Sequence, residues 1–438
     1  MKRDIYRDLQ AWRGSKFRKP LVLRGARQTG KTYILQRFGE REYQQCHYFN
    51  FEEDSRLASL FEGDLDTGRI IRDLSLYRNC DIRRVEHLII FDEVQACNAA
   101  LNSLKYFNEH DNDYHIASAG SLLGVRMSKP RSFPVGKVDF LDLYPMTFYE
   151  FLDATGESRY RAYLEDIDRI APLPDAFHDA LTGLLQRYYL VGGMPEAVNR
   201  HTADPGFGNG RTVQKSILDS YTLDFAKHAP SSDIPKLSLV WESLPSQLAR
   251  ENKKFLFSVV KEGARAREYE NALTWLTGAG LIHRSVLVTA PKVPLKAYRD
   301  ASSFKIYACD VGLLGALAEV PAEAVQSDLS ILTEYHGAFI ENYVAQHLAA
   351  MTGIGLHYWK NVGRAAEIDF LLQHGSSIVP LEAKSGVNLR SKSLAFYATK
   401  YRPPLVVRTS LRNLKVDDRV LNVPLYALQS LPRILGLL

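Results

Sequence analysis

Cysteine is scarce in this chain, with four in 438 residues. Cys46, Cys80, Cys97 and Cys309 show neither CxxC spacing nor the histidine pairing of a zinc site, so a structural zinc module or disulfide framework is excluded. They read as reduced thiols. Long hydrophobic runs are also missing, since no stretch approaches the ~20 apolar residues that a membrane span needs. The closing Leu431–Leu438 segment is too short to span and reads as a packing tail. The opening Met1-Lys2-Arg3-Asp4-Ile5-Tyr6 carries charge where a secretory signal would carry an apolar core. A cytoplasmic protein without a membrane partner is the expectation. Charge of one sign is lacking too: 55 Lys and Arg against 50 Asp and Glu leave a net +5. The chain as a whole is therefore no general polyanion binder, although local basic faces remain compatible with its composition.

What is present is ordinary globular composition, 46% hydrophobic and 24% charged, in a length that suggests two to four domains of about 150 residues each. One segment is far from ordinary. Gly25-Ala26-Arg27-Gln28-Thr29-Gly30-Lys31-Thr32 spells GxxxxGKT between the apolar Leu21-Val22-Leu23 and the helix-like Tyr33–Phe38. A strand, glycine loop and helix in that order aim backbone N–H groups and a helix N-terminus at phosphate oxygens. Lys31 is expected to neutralise β- and γ-phosphates, and the Thr32 hydroxyl to ligate Mg2+.

Such a loop calls for an acid at the end of a second buried strand. His87-Leu88-Ile89-Ile90-Phe91-Asp92-Glu93 supplies it about 60 residues downstream, a separation that accommodates intervening βαβ units. Four apolar residues in a row suit a strand buried on both faces. Asp92 then sits at the carboxyl end, where open α/β sheets bind ligands, and Glu93 is placed to polarise an attacking water. A third strand, Tyr114–Ser121, ends in polar residues that suit a γ-phosphate sensor: Ser121, with Ser118 as the close alternative. The lysine of a guanine-selective NKxD element is absent from Asn108-Glu109-His110-Asp111, so ATP is the expected nucleotide.

Alternating short strands and helices over residues 15–150 predict a parallel sheet with crossover helices. Residues 175–230 read as helical, broken at Gly192-Gly193-Met194-Pro195 and at a linker-like Ala203–Gly210. From 235 to 312, helical stretches precede two strands, Leu281–Val288 and Phe304–Ala308, the outline of a winged helix. Arg265 and Arg267 start its second helix, where phosphate contacts would arise; a packing module with solvated arginines fits the same pattern.

Residues 335–384 hold a second chemical constellation. A helix beginning at Gly337 carries Glu341 beside an Ile340, Val344, Leu348 stripe. A strand follows, Ala366-Glu367-Ile368-Asp369-Phe370-Leu371-Leu372, and then Ile378–Lys384. A two-residue turn at Gly375-Ser376 sets His374 opposite Ser377. Counting outward puts Asp369 opposite Glu382 and Glu367 opposite Lys384. Opposed carboxylates repel unless a cation lies between them. A divalent metal held by Glu341, Asp369 and Glu382, with Lys384 assisting, would meet that need. Without metal, the same residues form a sheet-edge charge network with a Glu367–Lys384 pair.

A helix Glu, a strand Asp and then Glu382-Ala383-Lys384 resemble the PD-(D/E)xK nucleases, which implies catalytic roles for Asp369, Glu382 and Lys384. Over nearly its whole length the chain resembles a group of bacterial and archaeal AAA-type ATPases with an uncharacterised C-terminal region. That resemblance rests on Gly25–Thr32, Phe91-Asp92-Glu93-Val94-Gln95, Leu143-Tyr144-Pro145-Met146-Thr147-Phe148 and Tyr189–Glu196, together with the C-terminal acids. It implies an α/β fold: a P-loop NTPase core over 1–155, a helical lid or linker over 156–232, a winged-helix-like module over 233–325 and a restriction-endonuclease-like α/β domain over 326–438. It also implies an ATPase coupled to DNA or RNA, and a homo-oligomer to be tested by mass. An ATP-switched regulator whose nuclease-like domain is inactive is the competing expectation. One departure stands out: relatives often place Gly-Arg after the sensor strand, whereas this chain has Gly136-Lys137, and lysine lacks the guanidinium fork. Arg126 or Arg131 would have to substitute.

Overall fold

Leu21, Val22 and Leu23 alternate between the two faces of a strand, and each meets a different core. Leu21 and Leu23 pack with Leu88 and Ile90, while Val22 packs with Ile89 and Phe91. A continuous apolar run is what a strand covered on both faces requires. The computed structural model describes residues 1–120, 136–205, 207–250, 253–321, 336–351, 355–361, 363, 366–385 and 391–437. It divides into two compact units, residues 1–144 with 278–280, and residues 145–277 with 281–438.

The first unit is built on five parallel strands: β1 (Leu21–Arg24), β2 (Gln45–Asn50), β3 (His87–Asp92), β4 (His115–Ala119) and β5 (Asp139–Asp142). Their order is β2-β3-β4-β1-β5, so β4 lies between the strand that feeds the glycine loop and the strand that ends in Asp92. Helices α1 (Ile5–Gly14) and α2 (Lys31–Glu42) bury Leu9, Trp12, Ile34, Leu35 and Phe38 on one face. Helices α3 (Thr67–Arg78) and α4 (Asn98–His110) bury Ile70, Leu74, Leu101, Leu104 and Phe107 on the other.

The second unit begins with helices. Phe148–Ala154 is started by a capping box, in which Thr147 accepts from Glu150 N–H and Glu150 accepts from Thr147 N–H. The helix Asp175–Val191 stops at Gly192, where φ is +71° and an added Cβ would lie 2.1 Å from Asp310 Oδ1. A Cβ on Gly193 would lie 2.0 Å from Met146 O, and Met146 N–H donates to Gly193 O at 2.6 Å. Two segments singled out in the sequence, 143–148 and 189–196, thus meet backbone to backbone. A short helix, Pro195–Ala203, comes next, and the one after it, Phe207–His228, starts inside the stretch read as a linker.

Helices Ile234–Glu242, Leu244–Leu248, Phe257–Val260 and Ala266–Gly278 precede the antiparallel pair β6 (Ile282–Val288) and β7 (Arg299–Ala308). That hairpin does not end as an isolated wing. β8 (His357–Lys360) joins β6 in parallel, and β9 (Glu367–Ile368) joins β8, giving the order β7-β6-β8-β9. The second sheet holds β10 (Phe370–His374), β11 (Ser377–Ala383), β12 (Val406–Ser410), β13 (Lys415–Asp417) and β14 (Val420–Pro424) in the order β10-β11-β12-β14-β13.

The hairpin register is the expected one from His374↔Ser377 to Phe370↔Leu381, with Gly375 at φ +56°. One residue further it fails. The strand breaks at Asp369, and Glu367 pairs with Lys360 of β8 rather than lying opposite Lys384. Asp369 Oδ2 instead accepts from Ala383 N–H at 3.0 Å. A carboxylate that captures a neighbouring backbone N–H offers the chain an alternative to the ladder, and here it lets one strand serve two sheets.

Candidate functional sites

The glycine loop leaves β1 where space is tightest. A Cβ on Gly25 would lie 2.2 Å from the carbonyl oxygen of Leu143, just beyond β5, so only glycine allows this approach. Gln28 has φ +63° and Gly30 φ +91°, the turn conformation that brings the chain into α2. Lys31 is buried, and its Nζ donates to Gly25 O at 3.1 Å and Ala26 O at 2.8 Å. Thr29 is fully buried and donates its hydroxyl to Ala26 O at 2.8 Å. Residues 25–32 therefore form a closed loop at the N-terminus of α2, with Arg27 on the same turn.

Across β4, Asp92 ends β3 and receives the Thr32 hydroxyl on Oδ2 at 2.7 Å. The two oxygens were expected to share a magnesium ion, and the fold brings them into contact. A hydroxyl and a carboxylate at that separation are the hard oxygen donors magnesium takes. Glu93 follows at φ +48° and donates its N–H to Asp92 Oδ1 at 3.0 Å. Ser118 lies inside β4, fully buried, with no partner for its hydroxyl among the described residues. Ser121, Arg126 and Arg131 lie outside the described residues. Lys137 is held by Glu109 at 3.0 Å.

The C-terminal acids assemble differently from the expectation. Glu341, on the helix His336–Ala350, pairs with Lys253 and accepts from the Tyr307 hydroxyl at 3.2 Å. Lys305 of β7, only 1% exposed, places Nζ 2.5 Å from Glu367 Oε1, 3.7 Å from Glu341 Oε2 and 3.9 Å from Asp369 Oδ1. Glu382 turns to Lys384 Nζ at 2.6 Å and accepts from the Ser391 hydroxyl. Glu367 is thus the partner of Lys305 and Lys360, not of Lys384. Burial, with Glu341 nearby and Lys305 opposing, pushes the Asp369 carboxyl up to about 7. Burial also works to raise Glu341, but Lys305 and Lys253 outweigh it and hold that carboxyl below its ordinary range. Among the described residues no group of three or more His, Cys, Asp or Glu side chains is arranged to hold a metal ion. Glu341, Asp369 and Glu382 therefore do not fit the divalent ion expected of them.

An "AAA domain" family profile matches residues 17–152. Over this stretch, which is less than half of the chain, the protein is similar to AAA domains. Residues 182–324 and 336–428 match two profiles described as domains of unknown function (DUF8612 and DUF4143). No curated protein matches the chain. Among solved structures, the Walker-type ATPase PABY2304 of Pyrococcus abyssi is similar at 13% identity and a TM-score of 0.44, over 73% of this chain and 95% of that one. ORC1 of Aeropyrum pernix in complex with DNA is similar at 17% identity and a TM-score of 0.30, over 73% and 92%. The RuvB Holliday junction branch migration motor of Thermotoga maritima is similar at 12% and 0.32, over 65% and 90%. Among the described residues no helix is long and apolar enough to cross a membrane.

Three side chains around the glycine loop carry no role in the sequence reading. Arg3, buried ahead of α1, donates Nη1 to Thr29 O at 2.8 Å and Nη2 to Tyr144 O at 2.6 Å. It ties the loop to the exit of β5, the place Gly25 already touches. Tyr48 of β2 donates its hydroxyl to Asp92 Oδ2 at 2.7 Å, sharing that oxygen with Thr32. Gln95 donates its side-chain amide to Glu93 Oε2. Only Gln95 had a sequence signal, its place in the Phe91–Gln95 segment. Arg3 and Tyr48 come from remote parts of the chain, where periodicity carries no information about the site.

Proposed function

We propose that the chain binds ATP with magnesium at residues 25–32 and hydrolyses it, using Thr32 and Asp92 as metal ligands and Glu93 as the base that orients water. The observation that carries this reading is the 2.7 Å contact between Thr32 Oγ1 and Asp92 Oδ2, made by residues 60 positions apart. Magnesium there would supply charge neutralisation on the phosphates. Lys31 Nζ is placed to transfer its hydrogen bonds from loop carbonyls to phosphate oxygens, which places positive charge where negative charge develops. Tyr48 orients the Asp92 carboxylate. Gln95 holds the Glu93 carboxylate, which takes up a proton as water attacks.

Turnover at this site is proposed to switch the second unit, which engages DNA or RNA through a local basic surface. Arg265 and Arg267 are exposed at the start of the helix Ala266–Gly278, as such a contact requires. The arrangement around Lys305 favours an ATP-switched regulator or scaffold over a nuclease that cuts with Asp369, Glu382 and Lys384. The test is ATP turnover of wild type and Lys31→Ala, each with and without DNA and RNA. The expected result is loss of nucleotide binding in Lys31→Ala and stimulation of wild type by a nucleic acid, abolished in an Arg265→Ala/Arg267→Ala double variant. Turnover indifferent to every nucleic acid would remove the coupling and leave the ATP site standing.

A further inference from the structure

The C-terminal unit contains a lysine that its surroundings would normally reject. Lys305 stands in the buried run Phe304-Lys305-Ile306-Tyr307-Ala308 of β7, and an unpaired ammonium there would be costly enough to lose its proton. Instead it stays charged. Burial lowers its proton affinity, but Tyr307, Glu341, Glu367 and Asp369 together raise it well above the ordinary lysine value. The side chain runs under an aromatic face, with Nζ 5.1 Å from the centre of the Tyr358 ring, and reaches Glu367 beyond it. Its three carboxylate neighbours come from three different elements: Glu341 from a helix, Glu367 from β9, and Asp369 from the break between β9 and β10.

We infer that Lys305 is the resident cation of this carboxylate cluster, occupying the position a divalent ion would need, so that the cluster takes no metal and does not cleave nucleic acid by a metal-dependent route. Three carboxylates from separate elements meet where positive charge or a proton compensates them, and a covalently attached ammonium supplies the charge permanently. A magnesium ion would have to displace Lys305 into apolar surroundings, leaving one buried charge unpaired in exchange for another. Glu382 does not complete a metal set either, because Lys384 and Ser391 hold both of its oxygens. The second cation, Lys253, closes the helix side of the cluster on Glu341 and also donates to Gly337 O at 3.1 Å. The inference concerns the second unit alone and is independent of the ATP site.

The test uses the full chain with Asp92→Asn, which weakens metal binding at the ATP site, and manganese as the probe, followed by calorimetry and by the electron paramagnetic resonance of free Mn2+. No binding at millimolar manganese is expected while Lys305 is present, and no metal-dependent nicking of DNA or RNA. Binding that disappears on adding Asp369→Asn would overturn the inference. Lys305→Met, which keeps the length and removes the charge, is expected to lower the melting temperature by roughly 5–15 °C. Manganese should recover part of that loss. A Lys305→Met chain that melts at the wild-type temperature would contradict the role as resident cation, whatever its metal affinity. If Lys305→Met does not fold, the manganese titration of the Asp92→Asn chain still decides.

Discussion

Arg3 shows how much of the proposed nucleotide site depends on single contacts from outside its motif. Its guanidinium bridges Thr29 O and Tyr144 O and so ties the loop to the β5 exit. Hydrogen bonds from a charged donor are worth about 1.5–3 kcal/mol, so Arg3→Ala should weaken ATP binding by roughly tenfold or more. The effect should appear in the dissociation constant rather than in turnover at saturation, because Arg3 positions the loop and does not face the reaction. Titration of a fluorescent ATP analogue separates the two, and an unchanged affinity would rule the role out. Gly25→Ala should be harsher, since the new methyl carbon must escape a carbonyl oxygen 2.2 Å away; no measurable nucleotide binding is expected, with circular dichroism unchanged. At this scale the sequence was readable where chemistry is local. Spacing and strand context put Gly25–Thr32 at the passage from β1 into α2, and Asp92 and Glu93 at the end of β3, which is where they lie. Arg3, Tyr48 and Lys305 are not placed in this way, because their partners lie 26 to 141 positions away.

Helices and strands were legible in kind and less so in extent. The apolar runs of β1 and β3 announce strands covered on both faces, and the turn at Gly375 fixed its hairpin over five residue pairs. The break at Asp369 was invisible, because side chains alternate through it without interruption and only a remote backbone N–H reveals the change. Two element-scale predictions follow from caps and close contacts. Thr147→Ala removes the oxygen that receives Glu150 N–H and should cost about 1 kcal/mol, read as a lower urea midpoint with an unchanged slope. Gly193→Ala drives a carbon to within 2.0 Å of Met146 O and must displace the backbone that ties residues 143–148 to 189–196. A loss of at least 3 kcal/mol is expected, on the order of other severe backbone lesions, and a variant within 1 kcal/mol of wild type would show that these segments yield easily.

For the whole molecule, the joining of β6 to β8 is the feature periodicity could not supply, since pairing partners some 70 residues apart leave no local trace. Buried histidines set the response to acid in both units. Burial lowers His47, His115, His283 and His347 to about 4. His347 shows the reason at atomic level: Nδ1–H donates to Tyr343 O at 2.8 Å while Nε2 accepts from Phe148 N–H at 2.9 Å, an arrangement only the neutral ring can make. The unfolded chain takes up protons near pH 6.5 and the folded one near 4, so stability is lost as pH falls through that window. Asp310 and Asp369, raised by burial to about 6 and about 7, act in the opposite sense but are fewer. Calorimetry from pH 7 to 4 should therefore show a falling melting temperature; a rise would contradict the assignment of neutral buried rings. The account as a whole rests on ATP hydrolysis by the first unit, and the most direct test is Glu93→Gln, with the ATP dissociation constant and steady-state turnover measured on one preparation. Affinity within a few-fold of wild type and turnover lower by about 100-fold or more is the predicted result. Undiminished turnover would contradict Glu93 as the base and, with it, the hydrolytic reading of this site.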